Sequence, residues 1–292
     1  MRIHDLARTA ELLRGSHLKR HSVEAVRELL APIVEVHERV LLDLGPGTIV
    51  HRARKCTPEH SFFDLPEMIY PPSERATIGR ANLAKKPTLY ASANEHTAFD
   101  EIGASPGEKI QLIAIRPLPG DPILSFLVGE YQSVFNSGSS LVNSRKIEQF
   151  INFRIQTSSL EAKYEQLFAD SFLAEAFRRN VKRPHDYLTT AVFSDGLFAQ
   201  GMSITYPSVE TPHGINVAIP MNIFDTRCEV IATQVVEITD YFGYGIYRWN
   251  QVAVSSVFDN EGKVSWFPPL TGEAERTGVQ PASPGWRVKR EA

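Results

Sequence analysis

The tripeptide Gly45-Pro46-Gly47 falls where the apolar periodicity of the chain changes, and that change restricts what the chain can fold into. Before it, Val26, Leu29, Leu30, Ile33, Val34 and Val40 recur at helical spacing. A helix is expected over Val23 to Leu44, with Ser22 as its N-cap and Pro32 kinking or splitting it. After it the pattern reads as strands, at Thr48–Ala53, Thr88–Ala91 and Ile110–Arg116. The middle is helical again: Tyr164, Leu167, Phe168, Phe172 and Ala176 form one apolar stripe, and a further helix is expected between His185 and Phe198. Strands return at Met202–Tyr206 and Asn216–Ile219, and Asn260-Glu261-Gly262 separates the arms of a hairpin. The residues after Leu270 are rich in Pro, Gly and charge. The expectation is an α+β protein with a helical segment over residues 1–46, a body over 47–270 and a flexible tail over 271–292.

A chain of 292 residues with 42% hydrophobic content can bury a core without staples. Its 34 acidic and 31 basic side chains leave no overall surplus of positive charge for phosphate, so nucleic acid is not expected as the main ligand. Cys56 and Cys228 can build neither a disulfide framework nor a thiolate metal site. No apolar run reaches the roughly eighteen residues that span a bilayer, and no apolar stretch follows the N-terminal charges. A soluble cytoplasmic protein is expected.

The phosphate-loop, dinucleotide-fingerprint, zincin and nucleophile-elbow patterns do not occur. His17 and His21 have the spacing of a helical metal pair but no third ligand nearby, which favours a solvated helix face and no metal site. Arg178, Arg179, Lys182 and Arg183 cluster at the expected end of a helix, where cations offset the macrodipole.

Two segments carry more. Gly79-Arg80-Ala81-Asn82 precedes the strand around Tyr90 and then Glu95-His96-Thr97-Ala98-Phe99-Asp100-Glu101, joining a loop arginine, a strand tyrosine and a helix glutamate. Downstream, Ile204-Thr205-Tyr206-Pro207-Ser208 is followed by Gly214-Ile215-Asn216-Val217. Together with His51-Arg52-Ala53-Arg54, this order resembles the RES-domain family from about Thr48 to Pro220. The resemblance implies a fold like that of ADP-ribosyltransferase toxins and cleavage of NAD+ at the nicotinamide glycosidic bond. It also implies a toxin held in check by a cognate antitoxin protein. Arg80, Tyr90, Glu101 and Ser208 take the family's functional positions, with Arg52 and Asn216 supporting them. The chain departs from smaller members in having Ala81 after the loop arginine and Lys86 before the strand proline.

The residue types suit that chemistry. Glycosidic cleavage of NAD+ passes through an oxocarbenium-like state and calls for a phosphate anchor, a ring platform and a negative charge near the ribose. Arg80 and Arg52 are candidate anchors, with surface ion pairing as the alternative. Tyr90 is a candidate platform or a half-buried core residue. Glu101 is expected in the last turn of a short helix opened by a capping box at Ser92 and closed by Gly103, where the macrodipole disfavours a carboxylate. Its alternative is a solvated acid beside Asp100. Ser208 suits ligand hydrogen bonding or a turn, and Asn216 the orientation of the loop or contact with substrate. No cofactor is expected. NAD+ enters as substrate and inorganic phosphate as a candidate co-substrate, making the chain a glycohydrolase or a phosphorylase. A mono-ADP-ribosyltransferase acting on a macromolecule, or a non-catalytic nucleotide-binding regulatory subunit, are the alternatives. The N-terminal helical segment and the helical insertion are candidate surfaces for a partner or for self-association.

Overall fold

The structure, a computed structural model, describes residues 2–14, 18, 21–57, 62–181, 183–269 and 284–289. His17 and Lys182 lie outside them, as does most of the expected tail. The chain is mixed α+β. Its elements run α1 (Arg2–Leu12), α2 (Val23–Val36), β1 (Leu41–Leu44), β2 (Val50–Lys55), α3 (Leu65–Met68), β3 (Thr88–Ser92), α4 (Glu95–Glu101), β4 (Lys109–Pro117) and β5 (Ile123–Leu127). They continue with α5 (Glu130–Ser137), α6 (Arg145–Thr157), α7 (Leu160–Arg178), α8 (Leu188–Phe198), β6 (Ser203–Pro207), β7 (Ile215–Pro220), α9 (Met221–Arg227), β8 (Cys228–Tyr241) and β9 (Tyr247–Ser255). Two interleaved compact units result.

The first unit comprises Met1–Leu42, Pro72–Pro87 and Leu124–Val209, so the N-terminal helices belong with the helical insertion instead of standing alone. Ser22 caps α2 through the Ala25 amide, as expected. Pro32 sits inside α2 without ending it, and the helix stops at Val36, short of Leu44. Leu41–Leu44 is strand, and just before it the Val40 carbonyl accepts from the Leu127 amide at 2.9 Å. Tertiary pairing has overridden the helical spacing there. β5 and β6 pair in parallel, with the Ser125 and Thr205 hydroxyls 2.7 Å apart in the interior. Tyr131, Val134, Ile151 and Leu167 form a core cluster with Leu127. Beside it the buried Asp170 of α7 accepts from the Gly129 and Gln132 amides, capping α5, and meets His37 Nε2 at 3.1 Å. α8 is apolar and buried almost all round, which a helix accepts only inside a core.

The second unit comprises Asp43–Pro71, Thr88–Ile123 and Glu210–Ala292. Its strands are hydrogen-bonded in the order β7-β3-β2-β4-β8-β9, each pairing antiparallel. α4 covers one face, setting Ala98 and Phe99 against Ala53, Ile110, Leu112, Val236 and Ile238. Phe99 is fully buried, so its truncation to alanine costs about 3–5 kcal/mol. The expected hairpin around Asn260 forms a tight turn in which the Asp259 amide donates to the Lys263 carbonyl. Within the expected flexible tail, residues 284–289 are held in place: Trp286 and Val230 of β8 exchange two backbone hydrogen bonds of 2.9 Å.

Candidate functional site

Antiparallel pairing puts residues that face each other across a ladder on the same side of the sheet. Asn216 of β7 is opposite Ser92 of β3, and Ser92 is opposite His51 of β2. All three therefore form one row, and the second unit builds its polar site on it.

The Ser92 hydroxyl donates to Asn216 Oδ1 at 2.7 Å, and Asn216 Nδ2 donates to Glu101 Oε1 at 2.6 Å. Ser92 and Asn216 are buried, while Glu101 is exposed at the C-terminal end of α4. This chain fixes the amide orientation, because only its oxygen can accept from the hydroxyl and only its nitrogen can donate to the carboxylate. The capping box expected at Ser92 does not form. Asn94 is the N-cap, accepting from the Thr97 amide at 2.8 Å, and Ser92 stays in the strand. The end of α4 at Glu101 agrees with the sequence, and Gly103 follows in a left-handed conformation with φ +59°.

The rest of α4 is also engaged. Asp100 accepts from the Tyr247 and Thr211 hydroxyls, each at 2.8 Å, and His96 Nδ1 accepts from the Tyr247 amide at 3.1 Å. Burial and the neighbouring Asp100 push the Tyr247 phenol well above its ordinary range, so it stays a donor. Two carboxylates adjacent in sequence thus differ in duty: Asp100 ties the helix to β9, whereas Glu101 faces Asn216.

Tyr90 lies two residues before Ser92 on β3, so both side chains point to the same face, and it is half-buried. Arg52 points to the opposite face from His51. Its Nε donates to the Met68 carbonyl at 2.8 Å and its Nη1 to the Tyr90 carbonyl at 3.0 Å. Burial lowers the guanidinium to about 10, with Arg54 adding to the effect, and it remains charged at neutral pH. Arg52 therefore braces β2, β3 and the end of α3 through backbone carbonyls, whereas the sequence reading made it a candidate phosphate anchor.

Arg80 and Ser208 belong to the first unit. Arg80 Nη1 donates to the carbonyls of Phe177 and Arg179 at the end of α7, and the guanidinium lies 5.1 Å from the Tyr187 ring centroid. Arg80, a candidate anchor in the sequence reading, here satisfies carbonyls at the C-terminal end of α7, whose C-cap is Arg179. Ser208 follows β6 and is buried.

Sequence reasoning missed Ser92, His51 and Glu95. Strand alternation from Tyr90 would have brought out Ser92, but His51 needs the ladder register. His51 Nδ1 lies 3.7 Å from Glu95 Oε1, and burial lowers the imidazole below its ordinary value, partly offset by that carboxylate. Thiol chemistry is disfavoured: burial, with Asp225, pushes Cys228 up to about 12, and burial raises Cys56 as well. Among the described residues no cluster of His, Cys, Asp and Glu could hold a metal ion, and no helix is long and apolar enough to cross a membrane. Compared with family models, curated proteins and solved structures, the chain gives no match.

Proposed function

We propose that the second unit cleaves the nicotinamide glycosidic bond of NAD+, on a core of ADP-ribosyltransferase-like type, as the resemblance implies. The observation that carries this reading is the Ser92–Asn216–Glu101 chain. It holds a carboxylate, by a hydrogen bond from a buried amide, at a helix end where the macrodipole opposes it. A fixed negative charge of that kind stabilises the positive charge that develops on a ribose as its leaving group departs. The C1–nitrogen bond breaks with its electron pair going to the pyridinium nitrogen, and neutral nicotinamide leaves. Water or inorganic phosphate then adds to the ribose carbon and gives up a proton, yielding ADP-ribose or its phosphate ester. Tyr90, on the same sheet face as Ser92, supplies the ring platform, and Arg52 holds the strands that carry it.

Such a protein acts as a growth-arrest effector and calls for a cognate antitoxin. The test is to incubate the purified chain with NAD+, with and without phosphate, and to identify products by mass. Nicotinamide release that disappears in Glu101→Gln supports the reading. Intact NAD+ with the folded wild-type chain overturns it.

A further inference from the structure

The row Asn216–Ser92–His51 continues across the sheet through Ala114 of β4 to Ala232 of β8. Two facing alanines leave the sheet without side-chain bulk there, and a bulge at Ile231, between Ala232 and Val230, deepens the irregularity. A cavity of about 340 Å³ lies above them, within the size range of small-molecule sites. Its polar wall is His51, Glu95, Gln234 and Gln251, and its apolar wall includes Leu112 and Ile49.

Two of the polar groups, Gln234 and His51, have capacity to spare. Gln251 Nε2 donates to Gln234 Oε1 at 2.9 Å, which turns the Gln234 amide nitrogen away from its neighbour. Among the described residues that nitrogen has no acceptor, and His51 approaches only Glu95, beyond hydrogen-bond distance. The lining therefore offers an amide donor, an imidazole and a carboxylate acceptor against apolar walls, with no lysine or arginine among the described lining residues. A carboxylate without a cation repels anions and accepts N–H donors.

We infer that this cavity binds a small planar heteroaromatic molecule, neutral or cationic, with an N–H donor and an acceptor on one edge, and that it rejects the corresponding anions. Gln234 donates to the acceptor, Glu95 accepts the N–H, and the ring lies over Ala114 and Ala232. Nicotinamide and adenine both carry this chemistry. The inference needs no turnover, so it stands or falls apart from the reaction proposed above.

Saturation-transfer NMR at neutral pH, without NAD+, tests it with nicotinamide, its isosteric anion nicotinate, and adenine. Nicotinamide or adenine, or both, should bind, and whichever binds names the source; nicotinate should bind roughly tenfold more weakly than nicotinamide or not at all. Ala114→Leu fills the cavity and should abolish the signal, and Gln234→Leu serves the same purpose should the first variant fail to fold. Glu95→Gln removes the repulsion and should narrow the gap between nicotinamide and nicotinate. Binding of neither nicotinamide nor adenine, equal binding of nicotinate, or binding that survives both cavity variants would overturn the inference. Failure of Glu101→Gln to alter NAD+ products bears only on the reaction.

Discussion

Asn216 Nδ2 donates to Glu101 Oε1 at 2.6 Å, across 115 residues of chain. The amide cannot turn over without breaking this bond and its bond from Ser92 together, so it presents its N–H group to the carboxylate. Preorganisation of this kind matters for catalysis, because a charge already in place needs no reorganisation when the transition state forms.

Glu101→Gln separates charge from shape. The glutamine oxygen still accepts from Asn216, so the fold and the bound ground state should persist while NAD+ turnover collapses. Removing a carboxylate from a helix C-terminus relieves the macrodipole while the Asn216 bond loses its charge assistance, so the melting temperature should change little. Calorimetric NAD+ titration beside product analysis checks the pair. A folded glutamine variant that consumes NAD+ at the wild-type rate removes Glu101 from the reaction.

Much of this region was legible in sequence, and the reasons for the misses are specific. The sequence pattern points to both Glu101 and Asn216, yet their contact depends on the Ser92–Asn216 register, which no local pattern encodes. Ser92 satisfied the spacing of a capping box, but a strand partner claimed it and Asn94 took the cap. Leu41–Leu44 continued a helical pattern only because Val40 and its neighbours are apolar, and pairing decided the outcome. The cavity over Ala114 and Ala232 is a product of register and a bulge, so small residues inside strands gave no sign of it. The loop position of Arg80 is readable locally, whereas the helix end that binds it lies nearly a hundred residues away.

Arg80→Ala tests that helix end. The variant strips the Phe177 and Arg179 carbonyls of a charged donor and loses the contact with Tyr187. Hydrogen bonds to charged groups contribute about 1.5–3 kcal/mol when buried, and this guanidinium is half-buried, so a loss of about 1–2 kcal/mol is expected in chemical denaturation. Arg80→Lys should recover only part of it, since an ammonium lacks the planar fork. An alanine variant of unchanged stability with weakened NAD+ binding would return Arg80 to the role of ligand anchor.

The half-buried His51 makes stability pH-dependent. Its folded-state value lies below the ordinary 6.5, so as pH falls the unfolded chain takes up the proton first. Stability from this residue is therefore fully present above about 6.5 and declines as pH falls below it. Glu95 at 3.7 Å limits the decline by favouring the imidazolium. His51→Gln should flatten the melting-temperature profile on the acid side, and the His51 ring protons should titrate with a midpoint below 6.5. A midpoint at or above that value would contradict the burial of the ring.

Gly285→Ala probes the segment clamped onto β8. A Cβ at Gly285 would lie 2.6 Å from the Val230 carbonyl oxygen, a backbone atom fixed in the ladder, so the segment must move away. Three attachments then weaken together: the Gly285 amide to Glu229 at 3.0 Å, Arg287 to Glu229 at 3.5 Å, and the Trp286–Val230 bonds. Trp286 also sits against Gly262, where a Cβ would come within 2.8 Å of the indole, so the ring has little room to resettle. Overpacking of this kind costs about 1–3 kcal/mol, while Glu229 keeps its ion pair with Arg116 and β8 itself should survive. The expected result is a lower melting temperature, a red-shifted tryptophan emission and faster proteolysis of the C-terminal segment. Because Val230 adjoins the bulged Ile231 that borders the cavity, ligand binding there should weaken in the same variant. Unchanged proteolysis and emission would mean that the segment is not held by β8.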